Sequence, residues 1–255
     1  MENIRLTFLG TGTSQGIPMI GCGCEVCRSG DPRDKRLRSS VLVEWDGMKI
    51  LVDAGPDFRY QMLRAGVTHL DAILLTHNHK DHTGGLDDIR AFNYLEGLPT
   101  EIYCEKYVED SLRQEYSYAF AEKKYPGAPE WHVHNIDSSP FYIKKFNNTE
   151  KLVWVSGKGY EHVSQDEKPQ IEKEVPVTPV RGMHYTLPVL GYRFGDIAYC
   201  TDMNYIADEE FEKLVLAYDY STRKDSPYRV KSQDVEEIDN GIYRYPGLVF
   251  EKKKR

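Results

Sequence analysis

The sequence contains no apolar run that approaches the roughly 18 residues needed to cross a membrane. It is also poor in cysteine and histidine, with five and eight residues among 255. These absences argue against an integral membrane protein and against a disulfide-rich scaffold. With 40% apolar and 29% charged residues, the composition is that of a folded globular chain.

A targeting peptide is also not indicated, because residues 1–5 lead directly into an alternating strand pattern. Three of the five cysteines fall within six residues, which favours a metal site or spare thiols over disulfides and hence a reducing cytoplasm. The net charge of −7 argues against nucleic acid as a general partner, and the sequence leaves a homodimer open.

The first part of the sequence predicts strands and one clear helix. Residues 4–9 alternate as a half-buried strand does, and residues 40–44 and 48–52 predict a hairpin closed by Asp46-Gly47. Asp57 is expected to cap a helix that ends before Gly66. Residues 72–76 predict a short buried strand.

The rest of the pattern predicts helices and then a second group of strands. Helices are expected at 84–95 and 107–122, strands within 131–200, and a short acidic helix at 207–214. This order favours an α/β fold of two sheets with helices outside, a four-layer αββα sandwich. We predict one such domain over residues 1–220, followed by a divergent, charged and tyrosine-rich segment at 221–255.

The strongest chemical signal follows the strand at 72–76. It is Thr-His-Asn-His-Lys-Asp-His-Thr-Gly-Gly, with its ligand-type side chains at His77, His79, Asp81 and His82. In an extended segment, residues two apart point the same way, so His77 and His79 can converge on one point. Imidazole and carboxylate suit Zn, Mn or Fe, and the sequence therefore predicts a metal site here.

Further ligands have to come from later strand ends, because one segment cannot complete two metal shells. His184 and Asp202 each follow a strand pattern and are the candidates. Separately, Cys22, Cys24 and Cys27 offer three soft ligands for a structural zinc, which needs a fourth. Cys104, Cys200, His132 and His134 remain open as that fourth ligand.

These motifs resemble the metallo-β-lactamase superfamily. The branch that contains the cyclic phosphodiesterase of the carbon–phosphorus lyase pathway is the most similar. The resemblance covers roughly residues 4–214. It rests on His-x-His-x-Asp-His together with five other segments, namely Leu9–Pro18, Cys22–Cys27, Val52–Gly55, Leu190–Gly195 and Cys200–Tyr205. It implies the αββα sandwich and two divalent metal ions, Zn or Mn, with a possible third, structural Zn.

Carried over residue by residue, the resemblance also implies a ligand set. His77, His79 and His184 would hold the first metal, Asp81 and His82 the second, and Asp202 would bridge them. Asp81 and His82 would thereby belong to the catalytic centre, and Asp53 would orient a ligand histidine through its other ring nitrogen.

The sequence departs from the family pattern on its C-terminal side. The family has three more histidines after the position of Asp202, whereas no histidine follows His184 here. The second metal would then keep only three protein ligands, the usual general acid would be missing, and the sandwich would be incomplete on that side.

Three functions follow as hypotheses. The leading one is a metal-dependent hydrolase, a phosphodiesterase that acts through metal-activated water on small cyclic or nucleotide-like phosphodiesters. The alternatives are a catalytically degenerate relative that binds metal or nucleotide, and a thioester or lactone hydrolase of the same superfamily.

Overall fold

The structure is a computed structural model that describes residues 4–147, 151–156, 159–163 and 170–215, with four short strands beyond them. Its chain contacts divide into two compact units, Met1–Thr178 and Pro179–Arg255. The predicted domain boundary at residue 220, and most of the segment 221–255, lie outside the described residues. Among the helices of the described part, none is long and apolar enough to cross a membrane.

The first unit contains most of the regular structure. Its strands are β1 (Arg5–Gly10), β2 (Ser40–Trp45), β3 (Met48–Val52), β4 (Ala72–Leu74), β5 (Thr100–Cys104), β6 (Trp131–Asn135), β7 (Phe141–Phe146), β8 (Lys151–Val155), β9 (Gly159–Val163) and β10 (Ile171–His184). Its α-helices are α1 (Glu25–Arg28), α2 (Phe58–Ala65), α3 (Lys80–Thr83), α4 (Arg90–Glu96) and α5 (Lys106–Glu115). Short 3-10 turns lie at Pro32–Asp34, Leu86–Ile89 and Ser117–Ala119.

A six-stranded sheet in the order β1-β2-β3-β4-β5-β6 organises this unit. β1, β2 and β3 pair antiparallel, and β3 to β6 run parallel. The predicted hairpin of β2 and β3 is confirmed: Asp46 and Gly47 both have positive φ, 49° and 75°, as a tight hairpin turn requires. β8 and β9 form a separate hairpin, and β7 pairs antiparallel with the first half of β10.

The core lies between one face of the six-stranded sheet and helices α2, α4 and α5. Leu51, Ile73 and Ile102, on β3, β4 and β5, are fully buried and pack with Phe58 and Leu112 of the helices. Burying each such side chain stabilises the fold by about 1.5–3 kcal/mol. The alternating strands and the helical apolar stripes of the sequence therefore meet in one core.

Three predicted elements differ in detail. The helix predicted at 84–95 is a 3-10 turn followed by α4, and the one predicted at 107–122 stops at Glu115. Asp57 makes no capping hydrogen bond to α2, because its carboxylate instead accepts the backbone N–H of Arg38 at 2.9 Å. Gly66 ends α2 as expected, with φ of 64°.

The second unit begins inside β10. Its remaining elements are β11 (Leu187–Phe194), β12 (Ile197–Tyr199), β13 (Tyr205–Ile206), α6 (Asp208–Val215) and the short strands β14 (Tyr228–Val230), β15 (Glu236–Asp239), β16 (Ile242–Arg244) and β17 (Phe250–Lys252). β12, β11, β10 and β13 lie side by side in that order. β14 pairs with β17 and β15 with β16.

Candidate metal centre

The histidine segment, defined as residues 77–82, begins three positions after Leu74, the last residue of β4. It therefore lies at the carboxyl edge of the parallel strands, where ligand sites of open α/β sheets are found. His77 and His82 are 0% and 1% exposed. The sequence predicted an extended segment, but residues Lys80–Thr83 form one helical turn, and His79 before it has an extended backbone with φ of −65° and ψ of 146°.

The rings of the segment converge. The centroid of the His77 ring lies 4.6 Å from that of His79 and 4.2 Å from that of His82. Nε2 of His82 lies 3.2 Å from Oδ2 of Asp81. Three imidazoles and one carboxylate thus form a compact cluster, as the motif predicted.

The turn at Asp53–Asp57 packs against the histidine segment through close backbone contacts. The N–H of Ala54 donates to the carbonyl of His82 and the N–H of Gly85 to the carbonyl of Ala54, both at 2.8 Å. A Cβ on Gly55 would lie 2.0 Å from the carbonyl oxygen of Asp81. Glycine is therefore required for this close backbone approach, a reason that the sequence pattern alone did not reveal.

Asp53 is fully buried beneath the histidines. Its Oδ2 lies 2.7 Å from Nδ1 of His82 and accepts a hydrogen bond from the hydroxyl of Thr76 at 2.9 Å. Its Oδ1 accepts a hydrogen bond from the backbone N–H of Thr76 at 2.9 Å. The hydroxyl of Thr76 also lies 2.9 Å from Nδ1 of His77. Asp53 thus contacts Nδ1 of a candidate ligand histidine, and its orienting role stays a prediction. Thr76 was not singled out from the sequence.

Helix α5 supports the outer side of the segment. Asn78 donates from Nδ2 to the hydroxyl of Ser111 at 2.8 Å, and Nζ of Lys80 lies 2.6 Å from a carboxylate oxygen of Glu115. The hydroxyl of Tyr116 donates to the carbonyl of Thr83 at 2.9 Å. These partners come from 30 or so positions away, so no local sequence signal could have identified them.

The donor set fits a divalent cation. Since the Nδ1–H of His82 is directed to Asp53, its Nε2 faces the Asp81 carboxylate with a lone pair unless it carries a second proton. Two lone pairs that face each other across the 3.2 Å between these atoms repel unless a proton or a metal ion lies between them. A zinc ion binds imidazole nitrogen and carboxylate oxygen at about 2.0–2.2 Å, so both atoms can ligate one ion.

His184 and Asp202, the two later candidates, belong to the second unit. His184 is the last residue of β10, and Asp202 follows β12 with φ of 55°, where its carboxylate accepts the Thr201 hydroxyl at 3.3 Å. Asn204 donates its N–H to Met183 at 2.9 Å. Within this unit the segments that carry the two candidates are therefore hydrogen-bonded neighbours.

The cysteine segment, defined as residues 22–27, forms a second cluster in the first unit. The sulfur atoms of Cys22, Cys24 and Cys27 lie within 4.8 Å of one another. The N–H of Cys27 donates to Cys24 Sγ at 3.5 Å and lowers the pKa of that thiol, with Cys22 contributing in the same direction. The three sulfur atoms therefore lie close enough together to bind one metal ion, and that ion stays a prediction.

Three of the proposed fourth ligands lie elsewhere within the described part of the first unit. The group of ligand atoms around the cysteine segment does not include Cys104, His132 or His134. Cys104 is buried in the core, and the two histidines contact the carboxylate of Glu101. Their local structure explains each of them without a metal.

Comparison with known proteins identifies the family. The model of the family described as Beta-lactamase superfamily domain matches residues 48–218. The crystal structure of a new diphosphatase from the PhnP family is similar to this chain, with a TM-score of 0.64 and 34% sequence identity over 83% of this chain and 70% of that one. The chain belongs to the metallo-β-lactamase superfamily, and both the predicted fold class and the branch indicated by the motifs are confirmed.

Two curated relatives are similar over part of their length. Octanoyltransferase of Porphyromonas gingivalis is 41% identical over 213 residues, 83% of this chain but 37% of that protein. Ribonuclease Z of Pyrobaculum neutrophilum is 38% identical over 114 residues, 44% of this chain and 34% of that protein. The chain thus spans well under half of either relative. A second family model, Wadjet protein JetA, matches residues 193–253.

Proposed function

We propose that the protein is a metal-dependent hydrolase that cleaves small phosphodiesters or related phosphoanhydrides, with cyclic or nucleotide-like compounds as the substrate class. The observation that carries this proposal is the buried histidine segment, whose imidazoles and Asp81 carboxylate converge at the carboxyl edge of the sheet. Such a constellation has the donor types and the location of a hydrolytic metal centre.

The relatives support phosphate chemistry. The PhnP-family structure is named a diphosphatase and the Pyrobaculum relative a ribonuclease, and both names denote cleavage at phosphorus. The octanoyltransferase name belongs to a protein of which this chain covers 37%, so that activity is not carried over. A phosphorus–oxygen bond is therefore the favoured target.

For the ligands, we propose the set that the family resemblance implies. His77, His79 and His184 would hold one divalent ion, Zn or Mn. Asp81 and His82 would hold the other, and Asp202 would bridge the two. When bound, a pair of such ions makes a water acidic enough to attack phosphorus near neutral pH and offsets the charge that develops there.

The contribution of the chain itself is orientation and shielding. Asp53 accepts a hydrogen bond from Nδ1–H of His82 and so directs Nε2 of that ring toward Asp81. Burial of His77 and His82 keeps bulk water away from the inner side of the centre. An oriented donor set needs little rearrangement during the reaction, and preorganisation of this kind lowers the barrier.

Protonation of the leaving group is the step for which the sequence supplies no familiar residue, since no histidine follows His184. A missing general acid costs about 10²–10⁴-fold in rate. We therefore expect hydrolysis of substrates with acidic leaving groups, such as p-nitrophenol, to be much faster than hydrolysis of unactivated esters.

The test is hydrolysis of bis(p-nitrophenyl) phosphate by the purified protein supplied with Mn²⁺ or Zn²⁺. We expect activity that falls to background in the double variant His79→Ala, Asp81→Ala. His132→Ala is the matched control, because that histidine lies on β6 and contacts Glu101 at 3.0 Å. Activity that persists unchanged in the double variant would rule out the assignment.

The absent C-terminal histidines favour one alternative, a degenerate relative that binds metal or nucleotide without turnover. Metal content after reconstitution separates the two functions, since the mechanism proposed here uses two ions. A preparation that holds one ion or none at the histidine segment and hydrolyses no phosphodiester supports the degenerate relative. Hydrolysis of thioesters or lactones in place of phosphodiesters supports the third hypothesis.

A further inference from the structure

We propose that Thr76 is a positioning residue and that, through it, the single carboxylate of Asp53 fixes the tautomer of both buried ligand histidines. Asp53 acts on His82 directly and on His77 by way of the Thr76 hydroxyl. The inference rests in part on the proposed metal centre, but it concerns hydrogen positions that exist before any metal is bound.

Counting donors gives the direction of each bond. The Thr76 hydroxyl carries one hydrogen and donates it to Oδ2 of Asp53 at 2.9 Å. The same oxygen lies 2.9 Å from Nδ1 of His77 and can only accept there. His77 therefore carries its proton on Nδ1, and its Nε2 bears the lone pair that a metal binds.

The same argument applies to His82. Its Nδ1 lies 2.7 Å from Oδ2 of Asp53, an acceptor when the carboxylate is ionised, so Nδ1 again carries the proton. Both rings thus present Nε2 as the ligand nitrogen. Oδ1 of Asp53 is meanwhile occupied by the backbone N–H of Thr76 at 2.9 Å, which prevents the carboxylate from rotating away.

Because these residues are buried, their hydrogen bonds determine which ring nitrogen carries the proton. Asp53, Thr76 and His77 are fully buried and His82 is 1% exposed, so bulk water does not compete for these hydrogens. Asp53 itself is fixed on both sides: its N–H donates to the carbonyl of Leu74 at 2.9 Å, and its carbonyl accepts the Ser40 hydroxyl at 2.9 Å. The backbone therefore places the carboxylate independently of any bound ion.

The chemistry of Thr76 distinguishes it from a residue that merely fills space. Valine has nearly the same shape but no hydroxyl, so Thr76→Val cuts the connection to His77 and leaves the direct bond from Asp53 to His82. Serine retains the hydroxyl and should restore the connection. Loss of an orienting partner behind a ligand typically weakens metal binding by about 10–100-fold.

The first test is nitrogen-15 NMR of the histidine rings in the metal-free protein, which reports the protonated nitrogen directly. We expect His77 and His82 to be protonated at Nδ1 in the unmodified protein. In Thr76→Val the His77 signals should move toward the other tautomer while those of His82 stay, and in Asp53→Asn both rings should change. Thr76→Ser should match the unmodified protein.

The unmodified protein alone can overturn the proposal, whether or not Thr76→Val folds: His77 protonated at Nε2 contradicts it. So does an unchanged His77 signal in a folded Thr76→Val variant. The second test is zinc affinity by competition with a chromophoric chelator, where Thr76→Val should lose about 10–100-fold and Thr76→Ser little. Equal affinity in both variants contradicts the positioning role.

These results separate the inference from the proposed function. A protein that hydrolyses no phosphodiester yet shows the expected tautomers would disprove the function and retain the role of Thr76. A protein that hydrolyses phosphodiesters but has His77 in the other tautomer would retain the function and disprove the role of Thr76.

Discussion

The histidine segment and the cysteine segment both gather metal-ligating side chains, but they differ in how much protein surrounds them. His77 and His82 are buried and are held by Asp53, directly or through Thr76. Cys24 is exposed, and its thiol accepts the N–H of Cys27 from its own segment. Packing and hydrogen bonds therefore position the histidine segment without a metal. The cysteine segment has fewer such contacts, and a bound metal would have to hold its thiols together.

The largest effect is expected from adding one methyl group beneath the histidine segment. In Gly55→Ala the new Cβ would meet the carbonyl oxygen of Asp81 at 2.0 Å, a backbone atom that cannot move aside alone. Overpacking of this kind costs about 1–3 kcal/mol or more in the free energy of unfolding. Urea unfolding measures the loss, and metal binding should weaken with it.

Gly30→Ala, just beyond the cysteine segment, is the matched control. A Cβ there meets no atom within 4 Å, and the change should stay within about 1 kcal/mol. Equal losses in the two variants would contradict the contrast between a packed and an open segment.

Metal removal should affect the two segments differently. At the end of the histidine segment, the N–H groups of His82 and of the adjoining Thr83 both donate to the carbonyl of His79, at 3.0 and 3.1 Å, and packing supports them. We expect chelation to leave their hydrogen exchange nearly unchanged and to speed exchange in the cysteine segment by about 10-fold or more. Exchange that rises more in the histidine segment would reverse the comparison.

A third region, at the opposite end of β4, contributes a stabilisation that depends on pH and not on metal. The side chain of His69 lies between the carboxylates of Asp71 and Glu96, at 2.9 and 3.0 Å, and these two partners raise the pKa of His69 to about 9. Because the folded state favours the protonated ring, this stabilisation is fully present below pH 6.5 and is lost as the pH rises through about 9.

The stability difference between the unmodified protein and His69→Gln, measured by urea unfolding across this range, should shrink with rising pH. Because Asp71 precedes β4 and the histidine segment follows it, zinc affinity at the histidine segment should be the same in both proteins. A difference that is as large above pH 9 as it is below pH 6.5 would argue against a charged His69.

The smallest effect concerns thiol reactivity. Burial raises the pKa of the Cys104 thiol to about 12, whereas the Cys27 N–H lowers that of exposed Cys24. In the metal-free folded protein, iodoacetamide should therefore modify Cys24 first and leave Cys104 unmodified, as peptide mass spectrometry can show. Early modification of Cys104 would indicate that the β5 core opens readily.

Much of the local structure follows from the sequence. The β2–β3 hairpin, the end of α2 at Gly66 and the strand before the histidines were predicted from turn residues and apolar periodicity. The helix predicted at 84–95 was wrong in its first turn, where the chain packs as a 3-10 turn. Periodicity identifies which face is buried, but it does not distinguish these two helical geometries.

By itself, the sequence determined the chemical types at the site and their location at the end of a buried strand. The tertiary structure decided which groups orient the ligands. Parallel pairing of Val52 with Leu74 brings Asp53 to Thr76, which is 23 positions along the chain. Asp53 also contacts His82, which is 29 positions along the chain. Likewise, glycine at position 55 is explained only by the backbone that passes 2.0 Å from where its Cβ would be. Hydrogen bonds and steric contacts between distant residues depend on strand register, which local residue preferences do not encode.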